Sequence, residues 1–179
     1  MLEQVDHFEM TSAANTVIIG GGTASSSGID FAINTDDVYM LVYTDVYMSN
    51  DGNVVNFRFT KSSDNSAVTT VSYANARTNL YSNQAHYHTG SQYLSYFSGI
   101  GCGTTTQEGQ QGVMYLHNLA NASAHSYINW EQQITTETPE YIGPMGGGQL
   151  NVAEAHNGVQ FVANANNIAN GKFTLYRII

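Results

Sequence analysis

The sequence predicts an all-β protein, an antiparallel β-sandwich of the jelly-roll type with about 8–11 short strands. Apolar residues recur at every second position in short runs, and Gly, Asn, Asp and Ser separate these runs. Helical periodicity is nearly absent, whereas an α/β fold requires helical segments between its strands. The chain has 179 residues, which is the length of one domain with a sizeable core.

The clearest strand signals lie in the first third of the chain. Val55, Phe57 and Phe59 alternate with polar residues, so this strand has one apolar face and one polar face. Residues 38–47 are apolar on both faces and predict a central strand that is covered on both sides. The dipeptide Asp51-Gly52 between the two runs is a strong turn signal and predicts a hairpin.

The remaining sequence divides into residues 1–14, an N-terminal arm or first edge strand, and residues 15–179, a single sandwich domain. Residues 74–81 are the only stretch that could form a helical turn. Glycine runs at 20–22 and 146–148, with the serines at 25–27, predict loops at the ends of the sandwich. Further strands are predicted at residues 15–19, 28–33, 68–74, 92–97, 112–118, 125–134, 149–153, 158–163 and 172–178.

The surface is predicted to be poor in ions and rich in amides and hydroxyls. Only 11% of the residues are charged, and 14 acidic against 5 basic residues give a formal net charge of −9. Amides and hydroxyls lose water at lower cost than ions, which suits a face that packs against copies of itself. The basic residues are scattered, so a nucleic-acid partner is not expected. They are Arg58, Lys61, Arg77, Lys172 and Arg177.

The chain start and the hydropathy pattern predict neither a signal peptide nor a membrane partner. Residues 1–6 are acidic and lack the basic start and apolar run of a secretory signal. No apolar run approaches the length of a membrane span. Cys102 is the only cysteine, so no internal disulfide can form, and its redox state stays open.

The sequence contains no motif that predicts catalytic residues or a cofactor site, and we predict that the protein is not an enzyme. No Gly-x-Ser-x-Gly motif occurs. His86 and His88 are weak metal-ligand candidates, because residues two apart on a strand project to one face; the alternative is an exposed, hydrogen-bonded pair. Cys102 could act as a nucleophile only if a histidine approached it; otherwise it is an incidental loop cysteine.

Aromatic side chains make carbohydrate or receptor binding the main alternative function. Trp130, Tyr87 and Tyr141 are the candidate contact residues, because aromatic rings can stack on sugar faces. Trp130 lies on the apolar side of its predicted strand, however, and this position favours a core ring.

The end of the chain resembles the last strand of jelly-roll proteins from the particles of tailed bacteriophages, especially marine and cyanobacterial phages. This end reads ANANNIANGKFTLYRI, with an Asn-Gly turn before an alternating strand. The block IDFAINTDDVYMLVYTDVYMSNDGNVVNFRFTKSSD resembles their early hairpin. The segments GVMYLHNL and HSYINWEQQI resemble their middle strands. The resemblance covers most of the chain from Ile29 onward.

The resemblance implies a non-enzymatic structural protein on the virion surface, assembled in the host cytoplasm and acting as a homotrimer. It implies a capsid decoration (cement) protein, or a small tail or fibre appendage. The partners would be copies of itself, the major capsid protein, tail or baseplate proteins, and a host-surface glycan. No catalytic residue is carried over. The alternative function is a carbohydrate- or receptor-binding module, such as a fibre head or lectin-like domain.

Overall fold

The structure is a computed structural model that describes residues 1–21, 28–94, 96–97, 101–105, 107–136 and 140–179. Within these residues the chain forms thirteen β-strands and no helix, so no described helix could cross a membrane. Residues 22 and 25–27, which we predicted to lie in loops, fall outside the described residues. The strands are β1 Leu2–Glu9, β2 Thr16–Gly20, β3 Gly28–Ile29, β4 Val38–Met48, β5 Asn53–Lys61, β6 Tyr73–Tyr81, β7 Tyr87–Leu94, β8 Gly101–Cys102, β9 Gln110–His117, β10 His125–Thr135, β11 Tyr141–Ala153, β12 His156–Ala163 and β13 Ile168–Ile178.

The strands form two sheets that pack face to face. The larger sheet has eight strands in the order β1-β13-β4-β9-β10-β11-β6-β7. The smaller sheet has five strands in the order β3-β2-β12-β5-β8. Strand pairs are antiparallel except for the short parallel pair β2–β3. The predicted all-β antiparallel sandwich is confirmed.

Eight of the strands have the connectivity of a jelly roll. The order β1-β13-β4-β9 in one sheet faces β2-β12-β5-β8 in the other. If these eight strands are renumbered along the chain, one sheet reads first-eighth-third-sixth and the other second-seventh-fourth-fifth. This order is that of two interlocked Greek keys.

Two insertions enlarge the jelly roll. Strands β6 and β7 are inserted between β5 and β8, and strands β10 and β11 between β9 and β12. The insertions meet because β11 pairs with β6 over nine registered residues, from Ile142↔Tyr81 to Leu150↔Tyr73. They therefore extend the larger sheet beyond β9 by four strands.

The core between the sheets is dense in aromatic rings. Phe161 packs edge-on against Phe57 and Phe173, with ring centroids 4.8 and 5.1 Å apart. Phe97 packs against Tyr73 at 4.7 Å, and all five rings are fully buried. The Tyr73 hydroxyl accepts a hydrogen bond from the Phe59 amide and donates one to the Val68 carbonyl. Burial of each large apolar side chain contributes about 1.5–3 kcal/mol.

The predicted hairpin at Asp51-Gly52 is wrong, although the turn exists. Gly52 has a φ of +71°, a conformation that glycine adopts without steric cost. The flanking strands β4 and β5 lie in different sheets, so the turn carries the chain from one sheet to the other. Alternation identifies the buried face of a strand but does not identify the strand that pairs with it.

Strand β4 is central, as predicted, but it is covered on one side only. Tyr39, Leu41 and Tyr43 are buried, while the residues between them are half-buried. Asp45 has a φ of +55° and coincides with a shift in the pairing of β4 with β9. This irregularity shifts the alternation by one residue, so the next buried residues of the strand are Val46 and Met48.

Residues 74–81 form strand β6 and not the predicted helical turn. Alanine and arginine favour helices locally, but such propensity is weak and pairing with β11 overrides it. The buried residues Tyr73, Asn75 and Asn79 lie on one face of the strand.

The predicted number of strands was too low, and some bounds were wrong. The N-terminal segment is the first edge strand, because β1 pairs with β13 from Leu2↔Ile178 to Glu9↔Lys172. Strand β8 was not predicted, and it has only two residues. The strand predicted at 92–97 lies at 87–94, and Phe97 forms an isolated bridge with Phe57. The stretch 68–72 is not a strand, and the buried Val68 donates its amide to Phe59.

Candidate binding face

The two insertions build most of an open face of the larger sheet that points away from the core; we call it the outer face. Alternation in β10 divides its residues between the two sides. Ile128, Trp130 and Gln132 are buried, while Tyr127 and Asn129 are exposed on the outer face. The same alternation was predicted from the sequence.

The glycine run 146–148 lies inside strand β11, so its prediction as a loop is wrong. Gly146 and Gly148 face the core. A Cβ on Gly146 would lie 2.9 Å from the Trp130 ring, and one on Gly148 would lie 2.5 Å from the Phe97 ring. These two glycines make room for aromatic rings. Gly147 faces outward, where a Cβ would lie 3.3 Å from the Ile128 carbonyl oxygen.

A first cavity, the glycine groove, crosses strands β10, β11, β6 and β7 on the outer face. Its volume is about 670 Å³, within the range of small-molecule sites. The paired row Asn129, Gly147, Ala76 and Gly90 runs across it. The neighbouring residues that line it include Tyr127, Gln149, Ala74, Ser91 and Gln92.

Hydrogen bonds along the glycine groove fix its polar side chains. Asn129 Oδ1 accepts a hydrogen bond from His117 Nε2 at 2.7 Å. Gln149 Nε2 donates to Asn151 Oδ1. These bonds leave an amide NH₂ on Asn129 and an amide oxygen on Gln149 to meet a ligand. Tyr127 is 39% exposed and supplies the aromatic ring at this end of the groove.

A second cavity, the apolar groove, lies next to the first on the same face. Its volume is about 480 Å³. Leu80, Met145 and Tyr141 in its lining are 37%, 43% and 47% exposed. Glu131 is the only carboxylate among the described residues that line the two grooves. The other lining residues include Val42, Val113, Gln111, Gln133, Gly112, Gly143 and Pro144.

The structure separates the three aromatic residues predicted to contact a glycan or receptor. Trp130 is 1% exposed and lies in the core, so its ring is not available for stacking. Tyr141 lines the apolar groove. Tyr87 is 57% exposed on the edge strand β7, opposite the buried Asn79. Sequence analysis missed Tyr127; its signal was an aromatic ring on the polar side of the β10 alternation.

The histidines His86 and His88 are exposed and make separate local hydrogen bonds. His86 Nδ1 accepts from the Tyr81 amide at 3.3 Å, and His88 Nδ1 lies 2.9 Å from Thr78 Oγ1. Across the described part of the chain, His, Cys, Asp and Glu side chains form no group of three that could hold a metal ion.

Cys102 is buried in strand β8, which corrects its interpretation as a loop residue. Burial raises the pKa of the Cys102 thiol to about 11. Because the thiolate is the nucleophile, this environment makes the thiol unreactive near neutral pH. Its thiol donates a long hydrogen bond to the Val46 carbonyl oxygen, with Sγ and O 4.0 Å apart.

Ser126, His156 and Glu154 form a chain of contacts between the two sheets. Sequence analysis missed this arrangement. His156 Nδ1 is 2.7 Å from Ser126 Oγ, and its Nε2 is 3.4 Å from Glu154 Oε1. Ser126 and His156 are both 0% exposed, so the hydroxyl has no access to an external substrate. The group acts as a polar connection between β10 and β12. Burial lowers the pKa of His156, and the neighbouring Glu154 opposes this shift.

Comparison with protein-family models, curated proteins and solved structures finds no match to this chain in any of the three. The resemblance to phage jelly-roll proteins therefore stays a prediction from the sequence.

Proposed function

We propose that the protein is a non-enzymatic assembly protein of a bacteriophage particle surface, which binds copies of itself through the apolar groove on the outer face of its larger sheet. The setting, either a capsid decoration protein or a small tail or fibre appendage, and the trimeric state come from the sequence resemblance. The observation that supports the proposal is the apolar groove. Leu80, Met145 and Tyr141 expose apolar surface there beside glutamines.

The distribution of charge supports contact between copies. Each chain carries a formal charge of −9, which opposes association. Yet Glu131 is the only carboxylate among the described lining residues of the two grooves, so most of the acidic residues lie elsewhere. An apolar centre with an amide rim is the usual composition of a specific interface. Such an interface buries about 1,200–2,000 Å².

A charge placed in the apolar groove tests the proposal. We expect the unaltered chain to be a trimer at micromolar concentration, and Met145→Glu to shift it to monomers. Val71→Glu is the matched control, because Val71 is 60% exposed and does not line the groove. Light scattering after size exclusion gives the masses. A monomeric unaltered chain, or a trimeric Met145→Glu variant, would contradict the proposed interface.

The location of the protein on particles tests the biological setting. We expect electron microscopy of particles with labelled protein to place it on the capsid or the tail. Purified protein that binds neither capsid nor tail would contradict this part of the proposal.

The second candidate function is a carbohydrate-binding module. The glycine groove favours it, because Tyr127 and two fixed amides surround an uncharged cavity. Binding to a printed array of glycans separates this candidate from assembly, since assembly requires no sugar.

A further inference from the structure

The glycine groove is a cavity made by the two insertions and lies outside the jelly roll itself. Its centre is flat because Gly147, Ala76 and Gly90 are paired neighbours with little or no side chain. A Cβ on Gly90 would make only ordinary van der Waals contacts, the nearest at 3.6 Å from the Asn75 carbonyl oxygen. The groove therefore holds its shape without side chains having to move.

The residues that line the glycine groove favour an uncharged ligand. None of the described residues that line the groove is Asp, Glu, Lys, Arg or His. An anionic ligand would find no cation there and would be repelled by a chain with a formal charge of −9. The absence of a cation among these lining residues disfavours nucleotides, phosphopeptides and sialylated or sulfated glycans.

The arrangement of the remaining groups matches a sugar ring. Tyr127 offers a flat aromatic surface that is 39% exposed, and the C–H face of a pyranose is flat and apolar. Asn129 can donate through Nδ2, and Gln149 can accept through Oε1, so hydroxyl groups would meet one donor and one acceptor. A few oriented polar groups around an apolar surface are typical of small-molecule sites.

We infer that the glycine groove binds an uncharged saccharide, with its ring stacked on Tyr127 and its hydroxyls bonded to Asn129 and Gln149. This inference rests on the second candidate function and assigns it a site. It does not require the assembly of copies through the apolar groove.

The test uses a printed array of oligosaccharides that end in neutral sugars or in sialic acid. We expect the full chain to bind at least one neutral oligosaccharide and to bind its sialylated form more weakly. Calorimetry with that neutral oligosaccharide then gives dissociation constants for the variants. Binding of sialylated sugars alone, or of no sugar on the array, would overturn the inference.

Two variants remove the site in different ways, and one leaves it intact. Tyr127→Ala removes the stacking ring, and Gly90→Val fills the groove; each should weaken binding at least about tenfold, or about 1.4 kcal/mol. Tyr141→Ala is the matched control, because Tyr141 is exposed but lines the apolar groove. Equal affinity in all four proteins, or loss in Tyr141→Ala alone, would overturn the assignment.

The masses of the same proteins separate this inference from the proposed assembly. Tyr127→Ala and Gly90→Val should keep the mass and thermal unfolding temperature of the unaltered chain. Met145→Glu should lose assembly and keep its sugar affinity. Sugar binding by a monomeric chain would support the saccharide site while contradicting assembly, and a trimer that binds no sugar would do the reverse.

Discussion

At the scale of single residues, the glycine run of β11 carries two different functions. Gly146 and Gly148 accommodate Trp130 and Phe97 beneath the sheet, whereas Gly147 forms part of the groove above it. Replacing the glycine hydrogen with a methyl group should therefore be most costly at Gly146 and Gly148, where the new Cβ would lie less than 3 Å from an aromatic ring.

We predict that Gly148→Ala destabilises the protein by about 1–3 kcal/mol, the usual cost of overpacking a core. The new methyl group would lie 2.5 Å from Phe97 Cε1 and 2.7 Å from the Ala74 carbonyl oxygen. Urea unfolding measures the change in free energy. Gly90→Ala is the control and should stay close to the unaltered protein. Equal stability of both variants would show that the inward packing is looser than described.

His156 gives the fold a dependence on pH. Burial lowers its pKa below the ordinary 6.5, so the unfolded chain binds the proton more readily than the folded one. This contribution leaves stability unchanged above pH 6.5 and reduces it as pH falls from 6.5 towards the lowered folded pKa. We predict that the thermal unfolding temperature decreases as the pH is lowered through this interval.

The His156→Phe variant isolates that contribution. Phenylalanine keeps the stacking on Phe59, whose ring centroid is 5.1 Å from that of His156, but it cannot be protonated. It also removes the 2.7 Å hydrogen bond between Ser126 Oγ and His156 Nδ1 and leaves Ser126 only its longer bond to the Asn118 carbonyl oxygen, so the variant is expected to be less stable at pH 7.5. Its unfolding temperature should vary less between pH 7 and pH 5 than that of the unaltered chain. The same pH slope in both proteins would assign the effect to other groups.

Trp130 and Tyr127 show what the sequence can establish about the candidate site. Period-two alternation in β10 separates the two rings correctly, one into the core and one onto the outer face. Trp130 was a candidate because aromatic rings can stack on sugars, although its position on the apolar side favoured the core. An aromatic ring on the polar side was the more informative signal. The sequence could not reveal that Tyr127 and Gly90 line one groove, because they come from different insertions.

At the scale of strands, alternation predicts the elements well and their partners poorly. Strands β10 and β13 follow their patterns, since each has one buried face. In β5 the apolar residues are buried as predicted, but Asn56 and Thr60 on the polar face are buried as well. The partners depend on contacts between distant parts of the chain, such as β11 with β6. The same limit explains the wrong hairpin between β4 and β5.

Strand β1 is an integral edge of the sandwich, so its removal should affect stability. Phe8 stacks on Phe173 at 6.4 Å, and Val5 packs against the core. We predict that deletion of residues 1–9 lowers the free energy of unfolding by about 2 kcal/mol or more, the value of burying one or two apolar side chains. Denaturant unfolding measures this change. An unchanged unfolding midpoint would show that β1 does not contribute to the stability of the sandwich.

At the scale of the whole molecule, a jelly roll supplies the scaffold and its insertions supply the outer face. The glycine groove lies on the inserted strands β6, β7, β10 and β11, whereas the apolar groove is lined by β6, β10 and β11 together with the jelly-roll strands β4 and β9. The eight jelly-roll strands contain most of the aromatic core. We therefore expect function to depend on the face that the insertions extend, because the jelly-roll scaffold alone hosts many unrelated functions.

The overall charge predicts how association of copies responds to salt. Each chain has a formal charge of −9, while the described lining residues of the two grooves include one carboxylate and no lysine or arginine. Long-range repulsion between copies is screened as the Debye length falls from about 10 Å at 0.1 M to about 3 Å at 1 M salt. Contacts in the apolar groove do not depend on ion pairs. We therefore predict tighter self-association at 1 M than at 0.1 M sodium chloride, measured by sedimentation equilibrium. Dissociation at high salt would instead require an interface made of ion pairs and would exclude the apolar groove as its centre.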